Sequence, residues 1–262
     1  MPFAARLCLL NFWVAYLVIS GVFLAYSLLG LCVRHRWLPH ARLRTIREPA
    51  GIVFNVIAVL YAVLLAFMVI SVWEGFNQAS LTVEAESGSL LAIVMELDAH
   101  RGHSAAFGRL KQAVDGYAHS VMEEEYPAMG RMQRSPRTTA AFERIWAAAH
   151  YLGTDSPGEI NLQQSIYYHL GEAQKARESR LLLSRRGLPA AMWTVILAGA
   201  FLTMTFSLFI STERFWPQAL MNFSLGLITA LVIFAILELS YPFVGNVNVA
   251  PEGFEYLIQN SR

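Results

Sequence analysis

The side chains with the most chemical potential in this sequence are charged groups beside apolar runs. Arg177, Arg180, Arg185 and Arg186 lead up to one such run. Guanidinium groups there suit anionic lipid head groups, and equally suit plain anchoring at a membrane surface. Glu238 closes another run. A carboxylate held at membrane depth is costly and therefore often functional, with Arg185 or Arg186 as its candidate partner; within a turn of the exit it can also reach back to water. Glu123, Glu124 and Glu125 offer three acids, but successive helical residues turn by about 100°, so they read as a solvated surface. His100 and His103 share one helix side without a third ligand, too little for a metal site. A phosphate-binding glycine loop, a His-Glu-x-x-His helix and a Gly-x-Ser-x-Gly elbow are all missing. The sequence thus nominates no catalytic residue, no metal and no cofactor.

The elements that must carry these groups are set by hydropathy. Of 262 residues, 55% are hydrophobic and 15% charged, and the mean hydropathy is +0.42. A net charge of +1 argues against a nucleic-acid partner. Cys8 and Cys32 lie in apolar stretches and suggest no disulfide framework. Four runs are long enough to cross a bilayer core of about 30 Å: Leu7 to Val33, Ala50 to Trp73, Ala190 to Thr212 and Phe215 to Leu237. The first is too long for the apolar part of a signal peptide. Pro49 suits a first helical turn. The second run continues without a breaker past Trp73 and Glu74, which predicts one helix that crosses the membrane and projects to Leu97.

Between the second and third runs the pattern changes to amphipathic helices. Leu90, Leu91, Val94 and Leu97 recur at helical spacing, as do Phe107, Leu110, Val114 and Tyr117. Pro127 marks a helix end, while Ser135-Pro136 and Ser156-Pro157 mark starts. Gly187-Leu188-Pro189 breaks the chain, Glu213-Arg214 marks a tight turn, and Pro251 to Gln259 reads as a short helical end. The expected fold is an all-α membrane protein with four transmembrane helices and a helical extramembrane domain inserted between helices two and three. Its parts are a first hairpin (1–73), the helical domain (74–187), a second hairpin (188–240) and a tail (241–262).

Orientation is contested by the charges. Arg34, Arg36, Arg42, Arg44 and Arg47 crowd the loop between helices one and two, with Arg214 on the same side. Arg6, Lys175, Arg177, Arg180, Arg185, Arg186 and Arg262 lie on the other, so the totals nearly balance. The density of the short loop favours placing it in the cytoplasm.

Several stretches, in order, resemble the bestrophin-like family of membrane proteins, itself distantly similar to bestrophin channels. They are Glu48-Pro49-Ala50-Gly51, Val59-Leu60-Tyr61-Ala62-Val63-Leu64-Leu65-Ala66-Phe67, Val72-Trp73-Glu74 and Val83-Glu84-Ala85-Glu86. Glu124-Glu125-Tyr126-Pro127, Arg177, Arg180, Gly187-Leu188-Pro189, Trp193 and Tyr241-Pro242-Phe243 follow. Leu65-Ala66-Phe67, Trp73-Glu74, Phe76 and Gln78-Ala79 are similar to the helix that lines the bestrophin pore. The resemblance implies a homo-oligomeric, pentameric ion channel whose second helix forms a hydrophobic neck at Val59, Val63 and Phe67. Residues four apart share a helix face, so five such stripes would enclose a dewetting constriction; packing or lipid contact accounts for the same apolar pattern. In a pore Glu74 would supply an acidic ring at the mouth, with Gln78 beside it; without a pore it is simply the first solvated residue beyond the bilayer.

Where bestrophins carry an acidic calcium cluster after helix four, this sequence reads Ser240-Tyr241-Pro242-Phe243-Val244-Gly245, which implies no calcium clasp. The resemblance also implies a cytoplasmic helical domain, against the loop density, in a multi-pass protein of the plasma (inner) membrane. Its expected partners are the lipid bilayer, further copies of itself and inorganic ions. A non-conducting membrane scaffold or sensor, binding a partner or lipid through its helical domain, is the alternative.

Overall fold

A computed structural model describes residues 3–37, 40–100, 104–153, 155–210 and 215–261, and every regular element among them is helical. In order these are α1 (Phe3–Cys8), α2 (Phe12–Trp37), α3 (His40–Ala99), α4 (Ala105–Ser120), a π-helical turn (Val121–Glu125), α5 (Tyr126–Met129), α6 (Pro136–His150), α7 (Pro157–Leu183), α8 (Ala190–Phe209), α9 (Phe215–Leu239) and α10 (Glu252–Asn260). They form two units, one of residues 2–74 and 187–240, the other of residues 75–186 and 241–262.

The first unit holds the four apolar spans, Phe12–Arg34, Ala190–Phe209, Phe215–Leu239 and the apolar part of Pro49–Ala99. Its core joins Tyr61 and Val72 of α3 to Ile196 and Ala200 of α8 and Ile233 and Ile236 of α9, with Ile19 and Phe23 of α2 packed against them. Several hydroxyls inside it find carbonyl partners, as a medium without water favours. Tyr61 donates its hydroxyl to the Ile196 carbonyl at 3.0 Å, and Thr203 and Thr229 donate to carbonyls one turn back. Gly199 lets the Tyr61 ring lie against its backbone, where a Cβ would collide. Trp13, Leu17, Leu220 and Ile228 are exposed apolar residues around it, the surface a bilayer would cover. This is an integral membrane protein.

The α3 helix runs for 60 residues, about 90 Å at 1.5 Å per residue, far longer than a bilayer core needs. As expected, the helix continues past Trp73 without a break, and it reaches Ala99. Pro49, expected in a first turn, instead lies inside the helix, which begins at His40. A proline ring tolerates helical φ but cannot donate the backbone bond to the carbonyl one turn back.

In the second unit the residues of α3 beyond Glu74 pack with α4, α6 and α7 around Leu90, Ile93, Leu110, Ile145, Ile166 and Leu170. The predicted starts hold: the Ser135 hydroxyl accepts from the Thr138 amide, and Ser156 with Glu159 makes a reciprocal capping box. Pro127 lies in the one-turn helix α5, and the helical run from Ala105 ends two residues after it at Met129. Phe243, Val249, Phe254 and Leu257, from the stretch expected as a separate tail, enter this core. The chain turns there at Gly245, whose φ of 91° favours glycine. Glu213-Arg214 lies outside the described residues.

Candidate functional site

On α3 the stripe expected to line a neck is largely uncovered within its own unit. Val59, Val63 and Phe67 are 63%, 50% and 65% exposed, whereas Tyr61 and Val72 on other faces are buried. Ile52, Val56, Leu60 and Ile70 are exposed as well, so the uncovered surface of α3 is broader than this stripe, which lies within it. Glu74 and Gln78 continue the same side beyond the apolar run, and both are exposed. The spacing places Glu74 about 10 Å along the helix from Phe67.

The helical unit holds a cluster of buried charges. Arg180, fully buried, donates from Nε to Glu86 Oε2 at 2.7 Å and from Nη2 to Glu86 Oε1 at 3.0 Å. The same Nη2 reaches Glu125 Oε2 at 2.8 Å. Arg177 donates to the other Glu125 oxygen at 2.8 Å and to Thr139 Oγ1 at 3.1 Å. Tyr117 donates its hydroxyl to Glu86. The guanidinium of Arg180 also lies over the Tyr126 and Phe254 rings, that of Arg177 over Phe142. Two acids and two arginines balance, which is what lets four ionised groups stay inside.

This corrects two expectations. Arg177 and Arg180 do not reach lipid head groups, because both guanidinium groups are engaged inside the helical unit. Glu125 is not a solvated surface residue: it is fully buried. Tyr117, Val121 and Glu125 follow at four-residue steps and face inward through the π-helical turn Val121–Glu125, while Glu123 stays exposed. A signal for the arginines was present in the sequence. Ile166, Leu170, Ala173, Arg177 and Arg180 follow at spacings of three and four, so both arginines fall on the buried stripe of α7.

Burial pushes the Tyr117 hydroxyl well above its ordinary value, with the negative charge of Glu86 adding to the effect. Burial likewise raises Tyr126. The folded state thus keeps phenolic protons that the unfolded chain releases near pH 10. Above that pH the unfolded state binds fewer protons, so stability falls as pH rises. Thermal unfolding followed by circular dichroism should show this alkaline slope, and Tyr126→Phe should make it shallower.

The other predicted residues are scattered. Arg185 and Arg186 lie exposed beyond the end of α7. Glu238 is 2% exposed within the transmembrane unit, where the neighbouring Leu237 carbonyl accepts from the Cys8 thiol at 3.6 Å. The His100 ring lies edge-on to Phe107 at 5.5 Å, and His103 lies outside the described residues. Among the described residues no three His, Cys, Asp or Glu side chains are grouped to hold a metal ion.

Residues 21–254 match the bestrophin-like domain family. The chain belongs to that family. Its fold agrees with solved bestrophin homologues. One is a Klebsiella pneumoniae bestrophin homologue solved by zinc phasing, with a TM-score of 0.64, 13% identity, and coverage of 94% of this chain and 96% of that one. A point variant of a bestrophin homologue from the same organism gives 0.64 at 12% identity over 94% and 97%. A further point variant, described as a membrane protein, gives 0.65 at 13% over 94% and 96%. At such identities the agreement is one of fold. No curated protein matches this bestrophin-like chain in sequence.

Proposed function

We propose that this bestrophin-like protein is a homo-oligomeric, pentameric ion channel, with α3 from each copy lining a hydrophobic neck at Val59, Val63 and Phe67. The observation that carries this reading is the outward apolar ridge of α3, followed by Glu74 and Gln78. Lipid would accept the ridge, with Glu74 and Gln78 as the first solvated residues beyond it; the family resemblance favours a shared axis. On such an axis ions pass Glu74 and then a constriction whose wetting sets the barrier. The exposed Arg185 and Arg186 are suited to anionic head groups at the membrane surface. The family resemblance supports the inner membrane as the location and the cytoplasm as the side of the helical unit. Channel function of this kind needs no catalytic group.

The test is the mass of the purified protein in detergent, followed by current recordings in planar lipid bilayers. A five-copy particle that conducts supports the proposal. A monomer, or an oligomer with the α3 ridge turned to lipid, overturns it, and a silent oligomer favours the scaffold reading. An acidic ring enriches cations, so Glu74→Gln should lower the cation-to-anion permeability ratio about threefold, read from reversal potentials in a salt gradient.

A further inference from the structure

The neck ridge does not begin at Val59. One turn earlier at the same four-residue step stands Asn55, exposed like the residues that follow it. Within the four spans, taking α3 only as far as Trp73, the described residues include three side-chain amides. The other two, Gln218 and Asn222, are each 3% exposed. These two bond to one another at 3.3 Å, and Gln218 also donates to the Ser207 carbonyl at 3.2 Å. Asn55 has no such partner among the described residues.

Its surroundings make this costly in lipid. Ile52 and Val53, nearer the start of the span, are 65% and 44% exposed, and Val56 beyond is 56% exposed. Apolar surface therefore continues on both sides of Asn55, which places the amide inside the apolar band rather than past its edge. An amide facing hydrocarbon there without a partner is penalised by several kcal/mol. A wet axis removes that penalty, since water, ions or the amides of other copies can satisfy it.

Resting on the channel reading, the geometry points to Asn55 as an ion-contacting, specificity-determining residue at the end of the neck opposite Glu74. Copies of the amide around the axis present N–H groups to anions and carbonyl oxygens to cations, so an ion can exchange part of its hydration shell there before it meets Val59. Asn55 and Glu74 lie about 28 Å apart along α3, with Val59, Val63 and Phe67 between them. The neck is then an apolar stretch closed at each end by a polar ring, one neutral and one acidic.

Two measurements test this. In planar bilayers, Asn55→Asp should raise the cation-to-anion permeability ratio about fivefold, and Asn55→Leu should lower the current severalfold. Independently, Asn55→Cys in a C32S background should form disulfide-linked copies with copper–phenanthroline, because Cys8 is fully buried. Leu17→Cys, on an exposed face of α2, should not. A conducting wild type whose permeability ratio and current are unmoved by both Asn55 variants overturns this inference and leaves the channel standing. Absence of cross-linking at Asn55 likewise overturns the ring alone. A silent wild type overturns both.

Discussion

Replacing Arg180 with alanine should lower the unfolding free energy of the helical unit by about 3–5 kcal/mol, the loss expected when one partner of a buried ion pair is removed. The side chain is fully buried, and its fork holds both oxygens of Glu86 and one of Glu125. Without it Glu86 stays buried with a single hydroxyl donor from Tyr117. Glu125 keeps Arg177. Arg180→Lys should recover only a minor part, since an ammonium cannot reproduce a planar fork shared between two carboxylates. Pairing the change with Glu86→Gln separates charge from packing: the double variant should be less destabilised than the sum of the singles by at least about 1 kcal/mol. Urea or heat unfolding of the purified protein, followed by circular dichroism, gives each value. A loss below about 1 kcal/mol for Arg180→Ala would mean that water reaches the cluster.

Truncating Val59, Val63 and Phe67 together to alanine should raise bilayer current at least about tenfold, equal to lowering a permeation barrier by about 1.4 kcal/mol. Phe67 should account for most of it, having the largest side chain of the three and 65% of its surface exposed. The cause is wetting: a wider and less oily constriction keeps water in the path, and ions follow water. Glu74→Gln acts differently, changing which ion passes with less effect on how many. An oligomer that stays silent with all three alanines in place would be a membrane scaffold, whatever its symmetry.

The arginine cluster and the neck ridge also show where local information ends. The four spans, the Ser135 and Ser156 helix starts and the unbroken passage of α3 past Trp73 could be read from the chain, because each depends on neighbouring residues: run length, caps and the absence of a breaker. The membership of residues 241–262 in the helical core was not readable that way. Phe254 and Leu257 lie far in sequence from the α3 and α4 residues they pack beside, and only long-range packing brings them there.

The partners of Glu86, Glu125, Arg177 and Arg180 were likewise decided by tertiary structure. Helical period alone places the two arginines on the inner stripe of α7, but not the acids that meet them from α3 and the π-helical turn. Hydrophobic pattern is blind to the burial of Glu125, because a buried ion pair and a solvated one use the same residue types. Sequence by itself established a helical membrane protein with four spans, since the bilayer demands length and apolarity of each segment separately. Charge pairing and the exposure of the α3 ridge waited on the fold, because both depend on which distant surfaces come within a few ångströms of one another.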